Sequence, residues 1–173
     1  MPDAYAHVDG LRAEARDEIK RRIEQRDKYS VQLTVALSAL VGVAFSNPML
    51  RKVLIAAPLL SIYFTVLILY SYSIHDVLAE YLRTVLEPRL SELAADARVP
   101  GWETWYKDFA HKPPGIRRAF FVNAMWIVTG ASLLFLYRTE YQHDSSFAST
   151  FWVTAVVYIG ACVWITRKFR KRR

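Results

Sequence analysis

Residues 47–87 run NPMLRKVLIAAPLLSIYFTVLILYSYSIHDVLAEYLRTVLE, a single helical pattern that changes character halfway along. Asn47-Pro48 is a start signal, because an Asn side chain caps free amides and Pro suits the first helical position. From Val53 to Ile74 no residue is charged, and those 22 residues are enough to cross a bilayer core. Beyond Ile74 the apolar positions thin out to Val77, Leu78, Tyr81, Leu82, Val85 and Leu86 at helical spacing, with Asp76, Glu80, Arg83 and Glu87 on the other face. At about 1.5 Å per residue, Pro48–Glu87 spans roughly 60 Å, twice the hydrocarbon thickness. The second half is therefore expected to leave the membrane as a rod.

Outward from this stretch, three more segments are long and apolar enough to span: Tyr29–Ser46 (span one), Ala119–Tyr137 (span three) and Thr150–Thr166 (span four), with Val53–Ile74 as span two. The expected fold is an all-α, polytopic membrane protein with four transmembrane helices and cytoplasmic helical extensions. Its divisions are 1–28, a cytoplasmic N-terminal helix; 29–74, a first transmembrane hairpin; 75–118, amphipathic and interfacial helices; 119–166, a second hairpin; and 167–173, a basic tail. An arrangement with both termini inside places 20 of the 23 Lys and Arg on the cytoplasmic side, which predicts a multi-pass protein of the inner (plasma) membrane. The first 28 residues are too polar for a cleavable signal, so the first apolar run is expected to be an anchor.

Net charge is confined. Residues 1–28 carry 7 basic and 7 acidic groups, the 75–118 region again 7 and 7, and most of the formal +7 comes from Arg167, Lys168, Arg170, Lys171, Arg172 and Arg173. Directly after a span, such a tail reads as a topology anchor that contacts anionic lipid, each basic group contributing ~1 kcal/mol near the surface. Electrostatic contact with nucleic acid is the other use of the same charge. In residues 9–28, Glu18 with Arg22 and its neighbouring i,i+4 pairs support a helix, and Leu11, Ala15, Ile19 and Ile23 give it a narrow apolar stripe. That stripe fits either a solvated topogenic helix or an arm that joins subunits.

The spans contain small polar groups at regular intervals. Span one has Ser30, Thr34, Ser38, Gly42 and Ser46 four residues apart, the spacing that lets membrane helices approach closely. Span four repeats it with Thr150, Thr154, Tyr158, Cys162 and Thr166. A 4.0 repeat on a 3.6-residue helix drifts by roughly 40° per step, so each stripe winds around its helix. Helix packing and a weakly polar pore lining are both open to these residues. Pro58 is expected to kink span two near its outer end and is the candidate hinge. Trp102, Trp105, Tyr106 and Phe109 share one face of a short helix suited to headgroup depth, with a base-stacking platform as the rival reading. Asn123 in span three is expected to bond to a neighbouring helix.

The chemistry that is missing is also informative. No span holds Asp, Glu, Lys, Arg or His, which argues against proton-coupled transport. There is no Gly-rich phosphate loop and no nucleophile with its base, and His7, His75, His111 and His143 have no metal-site spacing. The expectation is therefore a protein that is not an enzyme and needs no cofactor or metal.

A charged helix, a tight hairpin around FSNPMLRK and a helical extension leaving the membrane together resemble the SLATT-type effectors of bacterial anti-phage defence. Within that family the four-span layout is similar to the transmembrane effector of the Hailong system. The resemblance is one of architecture, so no residue role is carried over. It implies a homo-oligomeric ion channel, gated by a nucleotide or oligonucleotide ligand that a soluble partner enzyme makes, which depolarises the infected cell. The alternative from the residues is a non-conducting membrane anchor or sensor subunit that recruits a soluble partner protein through residues 9–28 and 74–97.

Overall fold

The computed structural model of the chain describes residues 2–94, 116–141 and 145–170, and within them every regular element is helical. α1 runs over Pro2–Ser46. A 3₁₀ segment follows at Pro48–Ala56, then α2 at Ala57–Tyr81, a π-helical turn at Leu82–Leu86 and α3 at Glu87–Ala94. After the undescribed residues come α4 at Ile116–Leu136, a second π-helical turn at Tyr137–Tyr141, and α5 at Ser145–Arg170. Four described stretches are long and apolar enough to cross a bilayer: Ala4–Ser46, Pro48–Ala94, Arg118–Tyr141 and Phe147–Phe169. The chain is a multi-pass, all-α membrane protein.

The start signal at Asn47-Pro48 works as expected. The Asn47 side chain accepts a hydrogen bond from the Met49 amide at 2.9 Å, and its carbonyl accepts from the Leu50 amide at 2.9 Å. The expectation of one uniform helix from Pro48 is corrected, because its first nine residues are wound as 3₁₀. Pro58 stands at the second residue of α2, where the winding changes from 3₁₀ to α. Pro88 stands at the second residue of α3, directly after a π-helical turn. Without an N–H it cannot bond to the Thr84 carbonyl and its ring crowds that carbonyl. The chain absorbs the defect in the π-turn just before it, where the Glu87 N–H reaches back to the Leu82 carbonyl, and helical winding continues to Ala94.

The described residues fall into two compact units. One draws on Met1–Arg26 and Tyr70–Pro114, the other on Asp27–Leu69 and Gly115–Arg173. In the first, the apolar stripe of α1 is covered by the chain's own second helical stretch. Ala15, Ile19, Leu82 and Leu86 are buried together, with Val8, Leu11 and Leu78 packed against them. Ile23, the last member of the expected stripe, is 36% exposed, so the contact is narrower than the sequence pattern. Each fully buried Leu or Ile adds at most about 1.5–3 kcal/mol in water. Polar contacts extend the pairing: the Ser71 hydroxyl donates to the Arg22 carbonyl at 2.9 Å, and the buried Arg26 guanidinium lies 4.1 Å over the Tyr72 ring. The Glu18–Arg22 ion pair forms at its expected spacing, half-exposed and hence weak.

The second unit has two clusters. Ala44, Leu54, Leu133, Leu136, Phe147, Phe151 and Ala155 form one, bordered by the Tyr137–Tyr141 stack at 4.9 Å. Leu69, Met125, Cys162 and Ile165 form the other. Lipid tails are as apolar as these side chains, so fit and hydrogen bonding hold the spans together rather than escape from water.

Candidate functional site

The two hydroxyl stripes of the spans meet different surroundings. On α5 the stripe is used within the unit. Thr150 is exposed, Thr154 and Tyr158 are half-buried, Cys162 is fully buried and Thr166 is half-buried again. This is the winding expected of a 4.0 repeat. Tyr158 donates its hydroxyl to the Ile55 carbonyl at 2.9 Å. Cys162 Sγ lies 3.6 Å from Thr129 Oγ1, and the Trp126 indole N–H donates to Thr166 Oγ1 at 3.0 Å. Thr166 in turn donates to the Cys162 carbonyl at 2.7 Å, so its hydroxyl is used twice.

On α1 the stripe from Thr34 to Ser46 lies on an exposed face. Ser30 is half-buried, and Thr34, Ser38, Gly42 and Ser46 are exposed. The Thr34 hydroxyl donates to the Ser30 carbonyl at 3.0 Å and the Ser46 hydroxyl to the Val43 carbonyl at 2.8 Å, both within the helix. A methyl group built on Gly42 would meet nothing within 4 Å. Among the described residues, then, no neighbouring helix closes on Gly42. Only 6% of the most apolar 18-residue window of this helix is buried, against 39% for the stretch containing α2 and 22% for each of the last two. Ala44, the Tyr29–Phe64 edge contact at 6.3 Å and the Phe45–Phe135 contact at 5.5 Å tie α1 to the unit, leaving Val31, Val35, Val41 and Val43 uncovered.

Pro58 is fully buried, next to a winding change with a definite bond pattern. The Ala57 N–H donates to the Leu54 carbonyl, three residues back. The next amide in that series would serve Ile55, but residue 58 is proline and has no proton to give. Ile55 is the carbonyl that Tyr158 reaches.

The remaining expectations divide by position. In the tail, Arg167 and Lys168 are exposed, and the Lys168 ammonium lies 4.7 Å over the exposed Trp164 ring, an aromatic and a cation paired at a span end. Lys171, Arg172 and Arg173 lie outside the described residues, as do Trp102, Trp105, Tyr106 and Phe109. Asn123 is exposed, with no bond to another span among the described residues. No three His, Cys, Asp or Glu side chains gather as metal ligands among the described residues.

Sequence reasoning missed the Arg26–Tyr72 contact and the Tyr158–Ile55 bond. The second had a signal, since a proline inside an apolar span leaves a carbonyl that needs a donor from elsewhere. Comparison of the chain with protein-family models, curated proteins and solved structures returned no match.

Proposed function

We propose that the protein is a non-enzymatic, homo-oligomeric membrane effector that forms an ion channel, with the hydroxyl stripe of α1 facing other copies and the pore. The observation that carries this reading is the α1 stripe from Thr34 to Ser46, exposed among the described residues while the equivalent stripe of α5 is occupied. Hydroxyls bonded to their own helix can still offer oxygen lone pairs to a hydrated ion, without the cost of a charge in lipid. The charged unit built on Ala15, Ile19, Leu82 and Leu86 is the proposed sensing element. Its proposed ligand is a nucleotide or oligonucleotide made by a partner enzyme in anti-phage defence. This part rests on the resemblance in architecture to SLATT-type effectors. The charge asymmetry supports an inner-membrane location with both termini cytoplasmic.

A second reading has its own observation. Val77, Tyr81 and Val85 recur at four-residue steps and are 69%, 40% and 49% exposed, on α2 and the turn that follows it. Such a face suits a soluble partner protein, and the chain would then be a non-conducting anchor or sensor.

Ion flux from liposomes holding the purified oligomer, with and without short single-stranded DNA and cyclic or linear oligonucleotides, separates the two. The channel reading expects flux that one ligand class switches. No flux in any condition, together with protein capture that is lost in Val77→Asp, would favour the anchor.

A further inference from the structure

The 3₁₀ segment Pro48–Ala56 is nine residues long, whereas runs beyond three or four residues are uncommon because their hydrogen bonds are poorly aligned. Something must hold it against the α-helix that the same residues would form. Pro58 is one part of the answer. Carrying α-winding back through the segment would set the Pro58 ring against the Leu54 carbonyl and bend the helix. In the observed winding that carbonyl is instead taken by Ala57 N–H, and the Ile55 carbonyl, which Pro58 cannot serve, accepts from the Tyr158 hydroxyl at 2.9 Å. Leu54, buried among Leu133, Leu136, Phe147, Phe151 and Ala155, holds the same turn from another side.

We infer that Tyr158 is the latch of a helix-winding switch at Pro58. Seated on the Ile55 carbonyl, it keeps residues 48–56 in 3₁₀ form; released, the segment rewinds as a proline-bent α-helix. Two states of similar energy are to be expected, since one carries strained hydrogen bonds and the other a proline bend. The difference in shape between them is large. Changing nine residues from 3₁₀ to α shortens the segment by about 4.5 Å and turns its far end by about 180°. Such a screw motion at one end of a span is suited to gating. That role rests on the channel reading, whereas the switch itself does not.

The test is a distance measurement by double electron–electron resonance on the full chain in nanodiscs, in a Cys162→Ala background. Spin labels go at Met49→Cys and Trp164→Cys, both exposed and both in the same compact unit. The unaltered latch is expected to give one dominant distance. Tyr158→Phe is expected to raise a second population, displaced by several ångströms, about fivefold, the shift that one net hydrogen bond produces. Pro58→Ala removes the proline bend from the α state and is expected to give mainly the displaced distance, with or without the Tyr158 hydroxyl. A Tyr158→Phe distribution identical to that of the unaltered latch would overturn the inference, as would a Tyr158→Phe shift that persists undiminished in Pro58→Ala. The reading is independent of conductance, so an absence of ion flux would count against the channel and leave the latch standing.

Discussion

α1 presents Ser30, Thr34, Ser38, Gly42 and Ser46 at four-residue steps, and α5 presents Thr150, Thr154, Tyr158, Cys162 and Thr166 at the same steps. Their surroundings differ. The α5 set bonds to Ile55 and packs or bonds with Thr129 and Trp126. Its interior positions are thereby committed to holding the spans of one chain together. In the α1 set the Thr34 and Ser46 hydroxyls bond within their own helix, and Thr34, Ser38, Gly42 and Ser46 are exposed. Small polar residues at close-packing intervals thus indicate that a helix can be approached; whether the approaching helix comes from the same chain is decided by the rest of the fold.

That contrast makes graded predictions, read by thermal unfolding in detergent micelles. Ile165→Ala empties a position that is 1% exposed beside Leu69, Met125 and Cys162, and is expected to cost about 2–5 kcal/mol, whereas Val35→Ala on uncovered α1 should stay within about 0.5 kcal/mol. Equal losses at the two sites would remove the distinction. Cys162→Phe forces a ring into the filled centre of the α5 stripe and should cost about 1–3 kcal/mol. Thr166→Val leaves the Trp126 indole N–H without its partner at an expected cost of about 0.5–1.5 kcal/mol, with a shift in tryptophan emission that reports the changed environment. Smallest in stability is Ser38→Leu, within about 0.5 kcal/mol, yet it is the one expected to change ion flux and the mass of the purified oligomer.

How far the sequence anticipates these features depends on the range of the interactions behind them. Asn47-Pro48 is legible because capping is settled within three residues. The four spans are legible because each satisfies its backbone internally and needs only length and apolarity. The winding of the α5 stripe follows from helix geometry alone, and its burial runs from Thr150 outside to Cys162 inside as the drift requires. Pro58 and Pro88 are visible as breaks, but their outcomes are not. The chain answers one with a 3₁₀ segment ahead of α2 and the other with a π-turn, and the first involves a donor 103 residues away. The apolar stripe on residues 11–23 is likewise plain, whereas its partner around Leu82 is a tertiary fact. The hydroxyl stripes are where local reasoning stops, because two near-identical patterns receive different neighbours.

The central claim, that the α1 stripe faces other copies around a pore, is tested most directly by thiol modification in conducting liposomes. Ser38→Cys and Gly42→Cys would be introduced with Cys162, fully buried, left in place as an internal control. The account predicts that a charged, water-borne thiol reagent blocks flux through both variants and leaves the unsubstituted protein conducting. Flux through both variants that is unaffected by the reagent would contradict it and would assign the α1 stripe to lipid.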